Sequence, residues 1–86
     1  MGMDLIGAGL SYNWGAWKWL KSRLAEWGVN VDELQDLNDG APISKETCSA
    51  IAAALEAHLD EFSPDEREWI EADIEAWRNC RGCEQW

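Results

Sequence analysis

The sequence predicts an all-α fold: a small bundle or orthogonal array of three main helices plus one short helix, in one domain over residues 1–86. Three observations lead there. Polar N-cap residues precede three segments of the chain, each of those segments carries one apolar stripe at helical spacing, and eleven alanines add helix propensity.

Residues 1–12 (MGMDLIGAGLSY) read as a flexible or short-strand lead-in held by Leu5 and Ile6. Gly7-Ala8-Gly9 is not a dinucleotide loop, because Tyr12 stands where the third glycine belongs and no strand–helix–strand unit follows. The first helix runs over about 14–27. Asn13 caps it, Trp17, Leu20, Leu24 and Trp27 form its core stripe, and Gly28-Val29 closes it in a Schellman ending against Leu24. Trp19 falls about 120° from that stripe at ~100° per residue, which marks it as the exposed aromatic of the helix.

Asn30 and Glu33 form a weak capping box for a short helix at 31–37, whose contact face is Leu34 and Leu37. Asn38-Asp39-Gly40 is a turn. The next helix, 45–61, is capped by Ser44, with Ile43 and Cys48 as a hydrophobic staple and Ile51, Leu55 and Leu59 in its stripe. Ser63-Pro64-Asp65-Glu66 opens the last helix, 64–80, which buries Ile70, Ile74 and Trp77 and ends near Gly82.

Seven tryptophans on an 86-residue chain of net charge -10 bear most directly on function. A tryptophan buries roughly 150–250 Å² when packed, so a domain of this size does not absorb seven. Residues 56–75 hold nine carboxylates against Arg67 alone, whereas the first 25 residues hold Lys18, Lys21 and Arg23 against Asp4. Three bases do not neutralise that excess, so acidic surface must remain. Glu68, Glu71 and Glu75, with Asp65 nearby, share the outer side of the last helix at about 5–6 Å per turn, on the scale of nucleic-acid phosphate spacing. Trp69 flanks this row. A basic groove built for nucleic acid is the natural partner of such a face, with Trp19 and Trp69 as desolvated anchors. Partner-binding residues are therefore expected at Trp19, Asp65, Glu68, Trp69, Glu71 and Glu75.

The chemistry-bearing motifs are weak. Cys80-Arg81-Gly82-Cys83 has ligand spacing, and Cys48 with His58 would complete a zinc set. Those two lie ten residues apart on one helix, roughly 15 Å along its axis, so the four are not expected to converge and no metal or cofactor is expected. His58 reads as a hydrogen-bonded histidine at the core edge. No nucleophile stands in an elbow or triad context, and carboxylates on a solvated face have no reason to divide into acid and base. The chain is expected not to be an enzyme. The longest apolar run, near Ile51, is far below the roughly 20 residues of a spanning helix. Ile6 stands where a myristoylation signal needs Ser or Thr, and three cysteines without a leader fit a reducing compartment.

Ser11-Tyr12-Asn13-Trp14 with Trp17 and Leu20, then Asn38-Asp39-Gly40, Ile43-Ser44, Glu46-Thr47-Cys48, Trp77 to Gly82 and Gln85-Trp86 resemble a group of small acidic proteins encoded by phages and bacterial mobile elements. Arg81 and Cys83 depart from the group, which has Gly-Gly followed by an aromatic there. The resemblance implies a phage setting in the host cytoplasm and an anti-defence role of anti-CRISPR type. The partner is then a host or defence-system protein with a basic nucleic-acid-binding groove, bound without direct contact to nucleic acid or membrane, and a homodimer is open. Two other roles stay open: sequestering a nucleotide signal, which calls for a basic aromatic pocket, and structural or regulatory interaction in the phage.

Overall fold

Side-chain alternation governs the first thirteen residues. Met3 and Leu5 are buried while Asp4 and Ile6 are exposed, the period-two pattern of a half-buried strand. In the computed structural model, which describes residues 2–86, this segment is a hairpin: β1 (Gly2–Ile6) turns at Gly7-Ala8-Gly9 into β2 (Leu10–Asn13). Two further strands, β3 (Ala41–Ile43) and β4 (Cys83–Gln85), complete an antiparallel sheet of order β2-β1-β4-β3. The fold is therefore mixed α/β, and the all-α expectation is overturned. The lead-in is half of a sheet, and Cys83–Gln85 is one of its two inner strands.

The three main helices stand where their caps put them. α1 (Trp14–Glu26) starts with the Asn13 side chain accepting from Ala16 N at 2.7 Å. It ends in the expected Schellman pair, Val29 N to Leu24 O at 2.9 Å and Gly28 N to Ala25 O at 3.1 Å, with Gly28 at φ 83°. α2 (Lys45–Ala57) is capped by Ser44 and stops four residues earlier than expected, passing through His58 into a 3₁₀ turn at Leu59–Glu61. α3 (Pro64–Asn79) carries the complete Ser63–Glu66 capping box. The joining turn is short, so α2 and α3 pack as an antiparallel pair.

The short helix at 31–37 does not form. Asn30 Oδ1 accepts from Asp32 N, two residues on, which makes a turn in place of a cap. Glu33 is engaged elsewhere: its carboxylate accepts from Ser44 N at 2.6 Å, Ser44 Oγ at 3.0 Å and Thr47 Oγ1 at 2.7 Å. It thus serves the start of α2, where carboxylates are favoured. Leu34 is buried but Leu37 is 61% exposed, so the two share no face.

One core lies between the sheet and the helices. Met3, Leu5, Tyr12, Ile43 and Cys83 enter it from the strands, and Trp17, Leu20, Leu24, Ile51, Leu55, Ile70, Ile74 and Trp77 from the helices. Trp27 and Leu59, expected in the core, are half-buried at its margin.

Two outcomes test this packing. Leu55→Ala should cost about 2–5 kcal/mol in denaturant unfolding, because the site is closed on all sides; a loss below ~1 kcal/mol would place Leu55 outside the core. The amide and hydroxyl donors on Glu33 hold its carboxyl below the usual range, Ser44 N–H contributing most. Its stabilising effect is then complete above the ordinary glutamate range and is lost as pH falls through it. Wild type should exceed Glu33→Gln in stability at neutral pH, and the gap should close on acidification.

Candidate functional site

Of the six expected binding residues, Trp19 lies on α1 and the other five divide between two sides of α3. At ~100° per residue, Glu68, Glu71 and Glu75 fall on one side and Trp69 on the other, with Asp65 between them at the helix start. All five are exposed. Glu71 and Glu75 line a groove of about 340 Å³ between α3 and α2, with Leu59 and Ile74 as apolar lining and Glu56 across from them. Arg78 enters it, pairing with Glu56 and lying 3.8 Å from Glu75. Asp65, Glu68 and Glu71 make no ion pair among the described residues. Lys21 pairs with Asp36, and Arg23 with Glu26, so the bases of the first 25 residues form no ion pair with the acidic segment.

Trp19 is half-buried, contrary to the exposure expected of it. Position on α1 alone would leave it in water, but the chain following α2 crosses over it. Its ring meets Phe62 edge-on at 5.8 Å and Trp69 at 6.3 Å between centroids, and the Arg23 guanidinium stands 6.0 Å above it. Trp27 meets Phe62 edge-on at 6.2 Å and stacks on His58 at 4.2 Å with the rings almost parallel. His58 is half-buried and bonded through Nδ1 to Glu61. Between these rings lies a pocket of about 120 Å³ lined by Trp19, Arg23, Trp27, Glu61, Phe62 and Glu66. Trp69 is 45% exposed beside it.

Sequence reasoning missed three other exposed apolar side chains: Ile6 at 58%, Leu37 at 61% and Trp86 at 51%. Ile6 carried a signal, since alternation with Leu5 in a strand puts it outside. Trp86 and Leu37 depend on tertiary context.

A buried relay joins the hairpin to α3. Trp77 Nε1 donates to Tyr12 Oη at 3.1 Å, and Tyr12 Oη donates to Asp73 Oδ2 at 3.0 Å. Burial, and then the Asp73 charge, pushes the Tyr12 phenol far above its ordinary range. Burial likewise raises the Asp73 carboxyl, against the lowering effect of the Tyr12 hydroxyl.

The largest departure from expectation is at the cysteines. Cys48, Cys80 and Cys83 are all buried, and their sulfurs lie within 4.8 Å of one another. The antiparallel pairing of α2 and α3 brings the first turn of one beside the last turn of the other, so Cys48 Sγ and Cys80 Sγ are 3.3 Å apart. Burial drives the Cys48 thiol well up, helped by the hydrogen bond with Cys80, and it drives Cys83 up to about 12. His58 does not belong to the group.

Comparison with protein-family models, curated proteins and solved structures finds no match to this chain.

Tyr12→Phe tests the relay. It leaves the Trp77 N–H and a half-buried carboxyl without their partner, at a cost of about 1–3 kcal/mol. The Asp73 pKa, followed by NMR titration, should rise in the variant, because the hydroxyl that lowers it is gone.

Proposed function

We propose that the protein is a non-enzymatic inhibitor of anti-defence type, similar in strategy to anti-CRISPR proteins. It would dock on a basic, nucleic-acid-handling protein complex through its acidic, tryptophan-bearing surface. The observation that carries this reading is unneutralised charge on the helix whose start opens the aromatic pocket: Asp65, Glu68 and Glu71 have no ion-pair partner among the described residues, and none of the bases of α1 pairs with them. A docking face gains both long-range steering and a desolvated centre.

The aromatic pocket extends the reading to a contact. Trp19, Trp27 and Phe62 offer ring edges and faces, and Glu61 and Glu66 supply negative charge at the rim. Arginine or lysine is the side chain that such a pocket attracts, and Arg23 over Trp19 already has that cation–π arrangement within the chain. The same carboxylates weigh against the nucleotide-sequestering alternative, because a phosphate entering there meets like charge.

The test is a titration against a purified CRISPR effector complex at several salt concentrations. Reversing Glu68, Glu71 and Glu75 to lysine together should slow association and flatten the salt dependence. Trp19→Ala combined with Trp69→Ala should chiefly speed dissociation. A triple reversal that folds and leaves both inhibition and its salt dependence unchanged would end the proposal.

A further inference from the structure

All three cysteines of this chain meet at one place, from three separate elements. Cys48 sits in the first turn of α2, Cys80 is the C-terminal cap of α3, and Cys83 opens β4 opposite Ile43. Gly82, at φ 113°, bends the intervening Cys-x-x-Cys so that both of its sulfurs face the third. Three sulfurs each about 2.3 Å from a common ion lie about 4 Å apart. The observed set, within 4.8 Å and with one pair at 3.3 Å, needs only a small adjustment to reach that spacing.

We propose that Cys48, Cys80 and Cys83 are the ligands of a soft, three-coordinate ion of the copper(I) class. The donors are all sulfur; no imidazole or carboxylate joins them among the described residues. A structural zinc ion asks for a fourth ligand, which this group does not supply, whereas copper(I) is selected by thiolates alone. Exposures of 0%, 3% and 6% leave little room for water to complete a tetrahedron. Free cysteine packs as a small hydrophobe, so burial alone does not make a ligand; the convergence of three sulfurs from separate elements is what points to one. Thiolate, not thiol, is the ligand, so metal entry releases protons and binding should weaken as pH falls.

The test uses the full chain, reduced with a non-thiol reagent and titrated with copper(I) held by a chromophoric chelator, and separately with zinc(II). One copper(I) per chain should be withdrawn from the chelator, with a sulfur-to-metal charge-transfer band in the ultraviolet and a raised Tm. Zinc(II) should bind more weakly. Cys48→Ala and Cys83→Ala, each checked for folding by circular dichroism, should lose more affinity than the roughly 10–100-fold that removal of an outer-shell partner costs; measuring both keeps the test intact if one fails to fold. The proposal is overturned if the folded, reduced chain takes no copper(I) from the chelator, if zinc(II) binds more tightly, or if a folded variant keeps wild-type affinity.

Discussion

A buried primary amide costs about 1–3 kcal/mol for each polar group left unpaired, and Gln85 is wholly buried. Its Oε1 accepts from Gln35 N at 2.6 Å, while its Nε2 donates to Glu33 O at 2.8 Å and Ala41 O at 3.1 Å. One side chain thereby holds the irregular segment 33–41 against the sheet. Its backbone meanwhile joins β4 to both β1 and β3. Once Gln85 is fixed, Glu33 is in reach of the α2 cap, Trp17 Nε1 finds Gln35 O at 2.7 Å, and Cys83 is carried into the core beside Cys80. No apolar residue of that shape could satisfy three backbone groups, two of them in a segment with no ladder of its own.

The tryptophans divide by the same logic of satisfaction and burial. Trp17 and Trp77 are wholly buried, and each has a partner for its N–H, Gln35 O in one case and Tyr12 Oη in the other. Trp14, Trp19 and Trp27 pack at the margin of the core, while Trp69 and Trp86 stand half in water. The core of this small domain therefore takes two tryptophans whole and leaves a graded set outside. Two of those five, Trp19 and Trp27, meet Phe62, and Trp69 joins them through Trp19, with Glu61 and Glu66 at the rim. On the proposed reading, this surplus aromatic area with charge at its rim would be the centre of the docking face.

The helices were legible because their signals are local. Asn13, Ser44 and Ser63 cap within three residues, and each stripe repeats over three or four turns. The sheet was not legible, for physical reasons. β3 and β4 are three residues each, too short for alternation to declare itself, and β3 contains a proline. Their pairing joins residues 41–43 to 83–85, a contact that no window of the sequence contains. Only Met3-Asp4-Leu5-Ile6 followed by Gly7-Ala8-Gly9 carried a readable hairpin pattern. Glu33 misled because a capping-box acid and an acid that caps a different helix are the same residue in sequence. Of the candidate site, the acidic row of α3 followed directly from its helical spacing. Trp19 did not, since Phe62 and Trp69 reach it from beyond its own helix. The cysteine cluster was within reach: two helices joined by a short turn run antiparallel, which sets position 48 opposite position 80.

The two sites lie at opposite ends of one element. Glu61, Phe62 and Glu66 mark the start of α3, where the aromatic pocket opens, and Cys80 caps its far end. Sixteen residues at about 1.5 Å each put roughly 24 Å between them. Charges that far apart on a protein surface are screened from one another at physiological salt, where the Debye length is about 8 Å. An ion among the cysteines therefore has no electrostatic route to the aromatic pocket. What it can change is mechanical: it ties the first turn of α2, the last turn of α3 and the inner strand β4 at one point. The helix pair that carries the acidic groove would then be fixed at the end remote from its turn, where Phe62 already fastens the other. The proposed docking and the proposed cross-link would thus act on α3 in different ways, one through the side chains of its surface and the other through how firmly it is held.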